Sequence, residues 1–136
     1  MKYYNYIYLD PRKRGQYQYN GVDICFLYEP IYVGKGTAYR KHVHLCNSKL
    51  NKNTRFSNKL KKILSMGYSI RPFIIQINAS ISEHIALETE LKLILNIGTL
   101  DHNTGTLTNS ILGGTGSNGR VSSRKGKTWK FTFEVS

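Results

Sequence analysis

Residues 81–98, ISEHIALETELKLILNIG, read as the longest and best-delimited helix of the chain. Ser80 and Glu83 stand at capping-box spacing, so each would satisfy an orphan N–H at the start. Gly98 stands where a residue of positive φ would end it. Ile81, Ile85, Ala86, Leu87, Leu91, Leu93, Ile94 and Leu95 make a wide apolar face. One residue breaks that face. On a helix, position 90 neighbours positions 86, 87, 93 and 94, all apolar here, so Glu90 stands inside the stripe. A lone carboxylate there would cost several kcal/mol or be driven neutral. An ion pair, a proton or a bound cation would each relieve it.

Working outward, the segments on either side suggest a small mixed domain. Residues 3–9, YYNYIYL, are aromatic and β-branched and predict a strand. Residues 10–23 carry Pro11, Gly15, Asn20 and Gly21, and predict a loop or flexible hairpin arm bearing Arg12, Lys13 and Arg14. Residues 24–33, ICFLYEPIYV, predict a second strand whose Pro30 marks an edge or a bulge. Gly34 and Gly36 then turn the chain into a short helix over about 37–46, which would put Arg40 and His44 on one face. Residues 47–55 are polar and basic. Residues 57–66 predict another helix, capped by Ser57 and ended by Gly67, with Lys59, Lys61 and Lys62 on its outer surface. Residues 70–78 predict the third strand, and 107–109 a short extended piece. The order predicts an α+β fold, a small mainly antiparallel three-stranded sheet flanked by about three helices. The expected organisation is a domain over 1–112, a glycine-rich linker over 113–119 and a basic tail over 120–136. The tail's end alternates aromatic and polar residues and would make one more strand.

Composition narrows the partners. The chain has 136 residues, with 20 Lys and Arg against 8 Asp and Glu, a formal charge of +12. Such an excess is costly to a compact state unless an anionic partner uses it. The basic residues are spread over many segments rather than along one amphipathic helix, which favours nucleic acid over a membrane surface. Ten tyrosines interleaved with the cations suit sugar–phosphate contact. Two cysteines imply no disulfide scaffold. There is no signal-peptide core and no apolar run near the ~20 residues of a membrane span, so an intracellular, cytoplasmic protein is expected.

Three motifs lead nowhere. Gly114–Gly119 fits G-x-G-x-x-G, but no helical pattern follows. Gly34-Lys35-Gly36-Thr37 lacks the upstream glycine of a P-loop, because position 29 is Glu29. His42, His44 and Cys46 alternate, which scatters them around a helix, and a structural zinc site wants four ligands.

The remaining pieces align with a known family. Tyr6-Ile7-Tyr8 and Tyr32-Val33-Gly34 resemble the paired signature of the GIY-YIG nucleases. Arg40 and His44 match that family's R-x-x-x-H, Glu90 its metal-binding glutamate and Asn109 its late asparagine. The resemblance covers about residues 3–114 and is most like phage and mobile-intron homing enzymes, which would place the protein in a phage-infected or bacterial cell. Two departures stand out: Tyr6 replaces the first glycine, and the segment between Tyr8 and Tyr32 is longer than the family's tight hairpin.

The resemblance implies an endonuclease of double-stranded DNA using Mg²⁺ (or Mn²⁺) held by Glu90, with Tyr8, Tyr32, Arg40, His44, Glu90 and Asn109 as the catalytic set. The residue chemistry agrees. Mg²⁺ binds through few carboxylates and keeps its waters. Arg40 would fork onto a phosphate in a way lysine cannot. The resemblance implies Tyr32 as base, with Tyr8 and His44 around the attacking water and Lys35 favouring the phenolate. A phenol of pKa about 10 is a poor base unaided, and an imidazole near ~6.5 is a simpler one. Asn109 would bond backbone or substrate. DNA contacts are expected from Lys35, Lys41, Arg12, Lys13, Arg14 and, in the tail, Arg120, Arg124, Lys125 and Lys127. A non-catalytic nucleic-acid-binding module of the same fold, or a basic domain for membranes or proteins, are the alternatives.

Overall fold

A computed structural model describes residues 2–110. The expected linker, the basic tail and its possible strand lie outside the described residues. Two long strands dominate, β1 (Tyr4–Tyr19) and β2 (Val22–Gly36), joined in antiparallel register from Tyr4↔Gly36 to Tyr19↔Val22. Of the two readings expected for 10–23, a loop or a flexible hairpin arm, the structure has the arm, and its ladder runs to a two-residue turn. Gly21, at φ +82, closes it at a position where a side chain would meet Asn96. A third strand, β3 (Ile74–Gln76), pairs antiparallel with Tyr6–Tyr8, giving the sheet order β2-β1-β3. The α+β architecture with an antiparallel three-stranded sheet is as the sequence predicts, although β3 is much shorter than 70–78.

Alternation along β1 sorts the two faces. Tyr4, Tyr6 and Tyr8 point to one face and meet Phe56, Leu60 and Ile63 of a helix over Arg55–Ser65 (α2). Ile7, Leu9 and Val33 point to the other and meet Leu93, Ile94 and Ile97 of a helix over Glu83–Ile97 (α3). Burying each aliphatic side chain of that size is worth about 1.5–3 kcal/mol. Pro30 marks both things expected of it. The register jumps from Tyr8↔Tyr32 to Leu9↔Pro30, leaving Ile31 as the extra residue of a bulge on the edge strand. Ile31 and Tyr32 consequently pack with the same layer, beside Phe56.

Both long helices begin differently from expectation. Thr54, not Ser57, caps α2, and Ser57 completes the capping box from the third helical position. Ser82, not Ser80, caps α3, accepting from the Ile85 amide, while Ser80 sits at φ +59 before the helix. The apolar face of α3 is also narrower than expected. Ile85 and Leu95 are exposed, and the buried row is Ala86, Glu90, Leu93, Ile94 and Ile97.

Between β2 and α2 the chain forms a 3-10 segment, Arg40–Leu45, and a single turn, Asn47–Leu50 (α1). Gly34 and Gly36 do not turn the chain; both lie in β2. They supply room instead. A methyl group at Gly34 would collide with the Tyr6 ring, and one at Gly36 would fall 2.6 Å from the Arg40 Cβ.

A polar core fastens α3 to the sheet. The Asn5 side chain is fully buried and donates to the backbone carbonyls of Ala86 (2.9 Å) and Gly34 (3.3 Å). It accepts from the Asn78 amide nitrogen at 2.9 Å, and Asn78 in turn accepts from the Asn5 backbone N–H. Ala86 lies one turn before Glu90, so Asn5 fixes the neighbouring turn of α3 against β2. Replacing Asn5 by Leu strands buried carbonyls and the Asn78 amide. The expected loss is about 1–3 kcal/mol in urea-denaturation free energy, with an unchanged slope.

Candidate active site

Tyr8 and Tyr32 face each other across the β1–β2 ladder, their rings 6.1 Å apart and nearly perpendicular. The long intervening segment does not disturb this, because it is absorbed as extra ladder. Tyr32 lies flat on Phe56, 4.0 Å between ring centres and 3° from parallel. His44 stands edge-on to both, at 4.9 Å and 5.1 Å. Together they line an open cleft of about 500 Å³, whose lining also includes Lys49, Lys52, Arg55, Asp101 and Thr108.

The Tyr4, Tyr6 and Tyr8 hydroxyls fix the 3-10 segment against the sheet. Tyr4 donates to the Ala38 carbonyl at 2.7 Å and accepts from the Lys41 N–H. Tyr8 donates to the Lys41 carbonyl at 2.5 Å. The Tyr6 hydroxyl meets His44 Nε2 at 2.9 Å. Tyr8 is wholly buried, so its hydroxyl holds backbone here rather than facing the cleft. Tyr6, which replaces the signature glycine, fills the space over Gly34 and orients the imidazole. The 3-10 geometry changes how Arg40 and His44 relate. With three residues per turn, positions four apart no longer share a face. Arg40 is exposed and packs its stem against Gly36, while His44 turns into the aromatic cluster.

Glu90 is only 2% exposed, in the stripe where the sequence places it. Its charge nevertheless reaches Tyr6 and Tyr32. Burial first, and Glu90 second, push the Tyr32 phenol up to about 12, against the opposing pull of Arg40. The cation that bears on Tyr32 is thus Arg40. Lys35, expected in that role, is paired with Glu83 at 3.5 Å. Tyr6 and Tyr8 are also raised, chiefly by burial. His44 moves the other way. Burial, then the charges of Lys49 and Arg40, lower it to about 4, so the imidazole is neutral at pH 7. Neither Arg40 nor Glu90 lines the cleft itself; both reach it through Tyr32.

Asn109 has a structural task. Its side chain accepts from the Val33 N–H at 2.9 Å and donates to the Val33 carbonyl at 2.8 Å, pairing with the edge strand as a backbone would. Thr108 and Thr106 continue this seal, donating to the Ile31 and Pro30 carbonyls. The other expected DNA contacts are partly occupied. Arg12 grips the buried Asp10 with two side-chain bonds, 2.8 and 2.9 Å. Burial would raise that carboxyl, but the bonds from Arg12 outweigh it and hold it below its ordinary value. Lys41 donates to Gln76. Lys13 and Arg14 are exposed on the ribbon. Arg120, Arg124, Lys125 and Lys127 lie outside the described residues. Phe56 was not among the expected site residues; as an apolar residue in a helix it carries no sequence signal beyond core packing.

The sequence model of the LEM-3-like GIY-YIG domain matches residues 3–129. The chain therefore belongs to the GIY-YIG family, whose members are nucleases. The matching model is of the LEM-3-like kind, not the homing kind expected from the sequence. No curated protein and no solved structure matches. No helix among the described residues is long and apolar enough to cross a membrane.

The depressed imidazole has a measurable sign. Below pH 6.5 the unfolded chain takes up a proton at His44 that the folded chain refuses until about pH 4. Stability should therefore fall as pH drops through that window. His44→Gln should flatten this part of the profile, and the His44 ring resonances should titrate near pH 4 by NMR.

Proposed function

We propose that this protein is a metal-dependent endonuclease that hydrolyses phosphodiester bonds of double-stranded DNA. One observation carries the reading: Tyr32 and His44, which match the family's signature residues, stand together with ring centres 4.9 Å apart at a cleft open to solvent. The net charge of +12 supports a polyanionic substrate.

A metal on Glu90 needs room for its own waters, and Glu90, buried and off the cleft wall, must open towards Tyr32 to receive one. Among the described residues no three His, Cys, Asp or Glu side chains gather into a metal-holding cluster. A single carboxylate with waters and a substrate phosphate is an ordinary arrangement for Mg²⁺. Mg²⁺ or Mn²⁺ on Glu90 would offset charge on the phosphoryl and leaving oxygens. Arg40, exposed and braced by Gly36, holds the scissile phosphate. His44 is neutral, and with its Nε2–H donated to the Tyr6 hydroxyl, Nδ1 is the atom left to accept a proton from water. Tyr32, pushed up to about 12, keeps its proton at pH 7 and positions that water as a donor. Its high value weighs against its serving as base, which the family resemblance implies.

Nicking of supercoiled plasmid tests both levels. Wild type should nick with Mg²⁺, and Glu90→Ala and Arg40→Ala should each slow it by about 100-fold or more. Unchanged nicking by both variants removes the site assignment. Binding with no metal-dependent cleavage of any DNA leaves a nucleic-acid-binding module. With His44 as acceptor, the rate should be nearly flat between about pH 6 and 9. A tenfold rise per unit that Tyr32→Phe abolishes would make Tyr32 the base.

A further inference from the structure

The cations expected to hold DNA near the site are largely engaged elsewhere: Lys35 with Glu83, Lys41 with Gln76, Arg12 with Asp10. The cleft beside Tyr32 and His44 is lined by a different set, Lys49, Lys52 and Arg55. They come from α1, the turn after it and the first residue of α2. Their position follows from local structure. The Thr54–Ser57 capping box starts α2 at Arg55, and Phe56, the next residue, anchors that end by stacking on Tyr32.

The three are not equivalent. Arg55 is paired with Asp101 at 3.0 Å across the cleft, so that carboxylate is offset. Among the described residues, neither Lys49 nor Lys52 has a carboxylate within ion-pairing distance. The cleft therefore carries uncompensated positive charge next to the aromatic wall. Lys49 is also close enough to His44 to oppose its protonation, as Arg40 does from the 3-10 segment. A polynucleotide presents a phosphate at every step of its strand. If Arg40 holds one, a cation pair along the adjoining cleft suits the next.

We propose that Lys49 and Lys52 form a second phosphate subsite, which seats the phosphate adjacent to the scissile one along the floor of this cleft. The inference rests on the nuclease reading for its substrate. The site takes a backbone phosphate, and the pair reads no sequence, since phosphate contacts position a duplex without specifying bases.

Binding of a duplex oligonucleotide, measured in EDTA against salt concentration, tests it. Each phosphate contact contributes about 0.9 to the slope of log affinity against log salt. The double variant Lys49→Ala, Lys52→Ala should lower that slope by about 0.9, the value for the one phosphate the pair seats. Lys49→Arg, Lys52→Arg should restore it. Lys61→Ala, Lys62→Ala, on the exposed side of α2, should leave it unchanged. Both cleft lysines are at least partly solvent-exposed, and circular dichroism is the check that each variant folds. An unaltered slope in the alanine pair, or an equal drop in the Lys61 and Lys62 pair, overturns the subsite. An unaltered slope with plasmid nicking intact sinks the subsite alone. A lowered slope in a chain that never nicks sinks the nuclease alone.

Discussion

Register between β1 and β2 is the constraint on which the rest depends. In a two-sided sheet a slip of one residue moves every side chain to the opposite face. Here it would send Tyr6 and Tyr8 towards α3 and Ile7 towards α2. The bulge at Ile31 prevents this from spreading, because it lets Tyr32 stay opposite Tyr8 while Pro30 stays opposite Leu9. The ring of Tyr6 over Gly34 pins the same register sterically. The aromatic cluster, the 3-10 segment hung from three phenols and the cleft all follow from that alignment.

The electrostatics show how burial and charge divide the work. Burial alone would raise the phenols and lower the imidazole, leaving all of them neutral at pH 7. Charges then act selectively. Glu90 adds to the rise at Tyr32 while Arg40 opposes it. Lys49 and Arg40 both add to the fall at His44. Neutral hydrogen-bonding groups therefore sit within the electrostatic reach of ionisable side chains from three separate elements.

Much of this was legible in the sequence, for identifiable reasons. Strand and helix order followed from periodicity, and Pro30 announced both edge and bulge. Glu90 stood out because only one carboxylate fell among aliphatic neighbours. What escaped was whatever depends on tertiary geometry. Residues 10–23 have turn-forming composition, which left loop and hairpin arm both open; the ladder partner in β2 decides for the arm. Gly34 and Gly36 look like turn residues and are spacers. Arg40 and His44 have α-helical spacing on a segment that is 3-10. Asn5, one polar residue in an aromatic strand, carries no mark that it ties three elements together. The engagement of Lys35 and Arg12 by Glu83 and Asp10 likewise required coordinates.

Asn109 is the last buried residue described, and it grips Val33 through both edges of its amide. Val33 lies between Tyr32 and Gly34. A side-chain clamp of this kind cannot slide along its partner as a ladder might; it either holds or lets go. The chain leaving at Ser110 is thus held to β2 beside the Tyr32 phenol, with Thr108 and Thr106 fastened behind it. Tension arising farther along the polypeptide would load this clamp before the threonine bonds behind it.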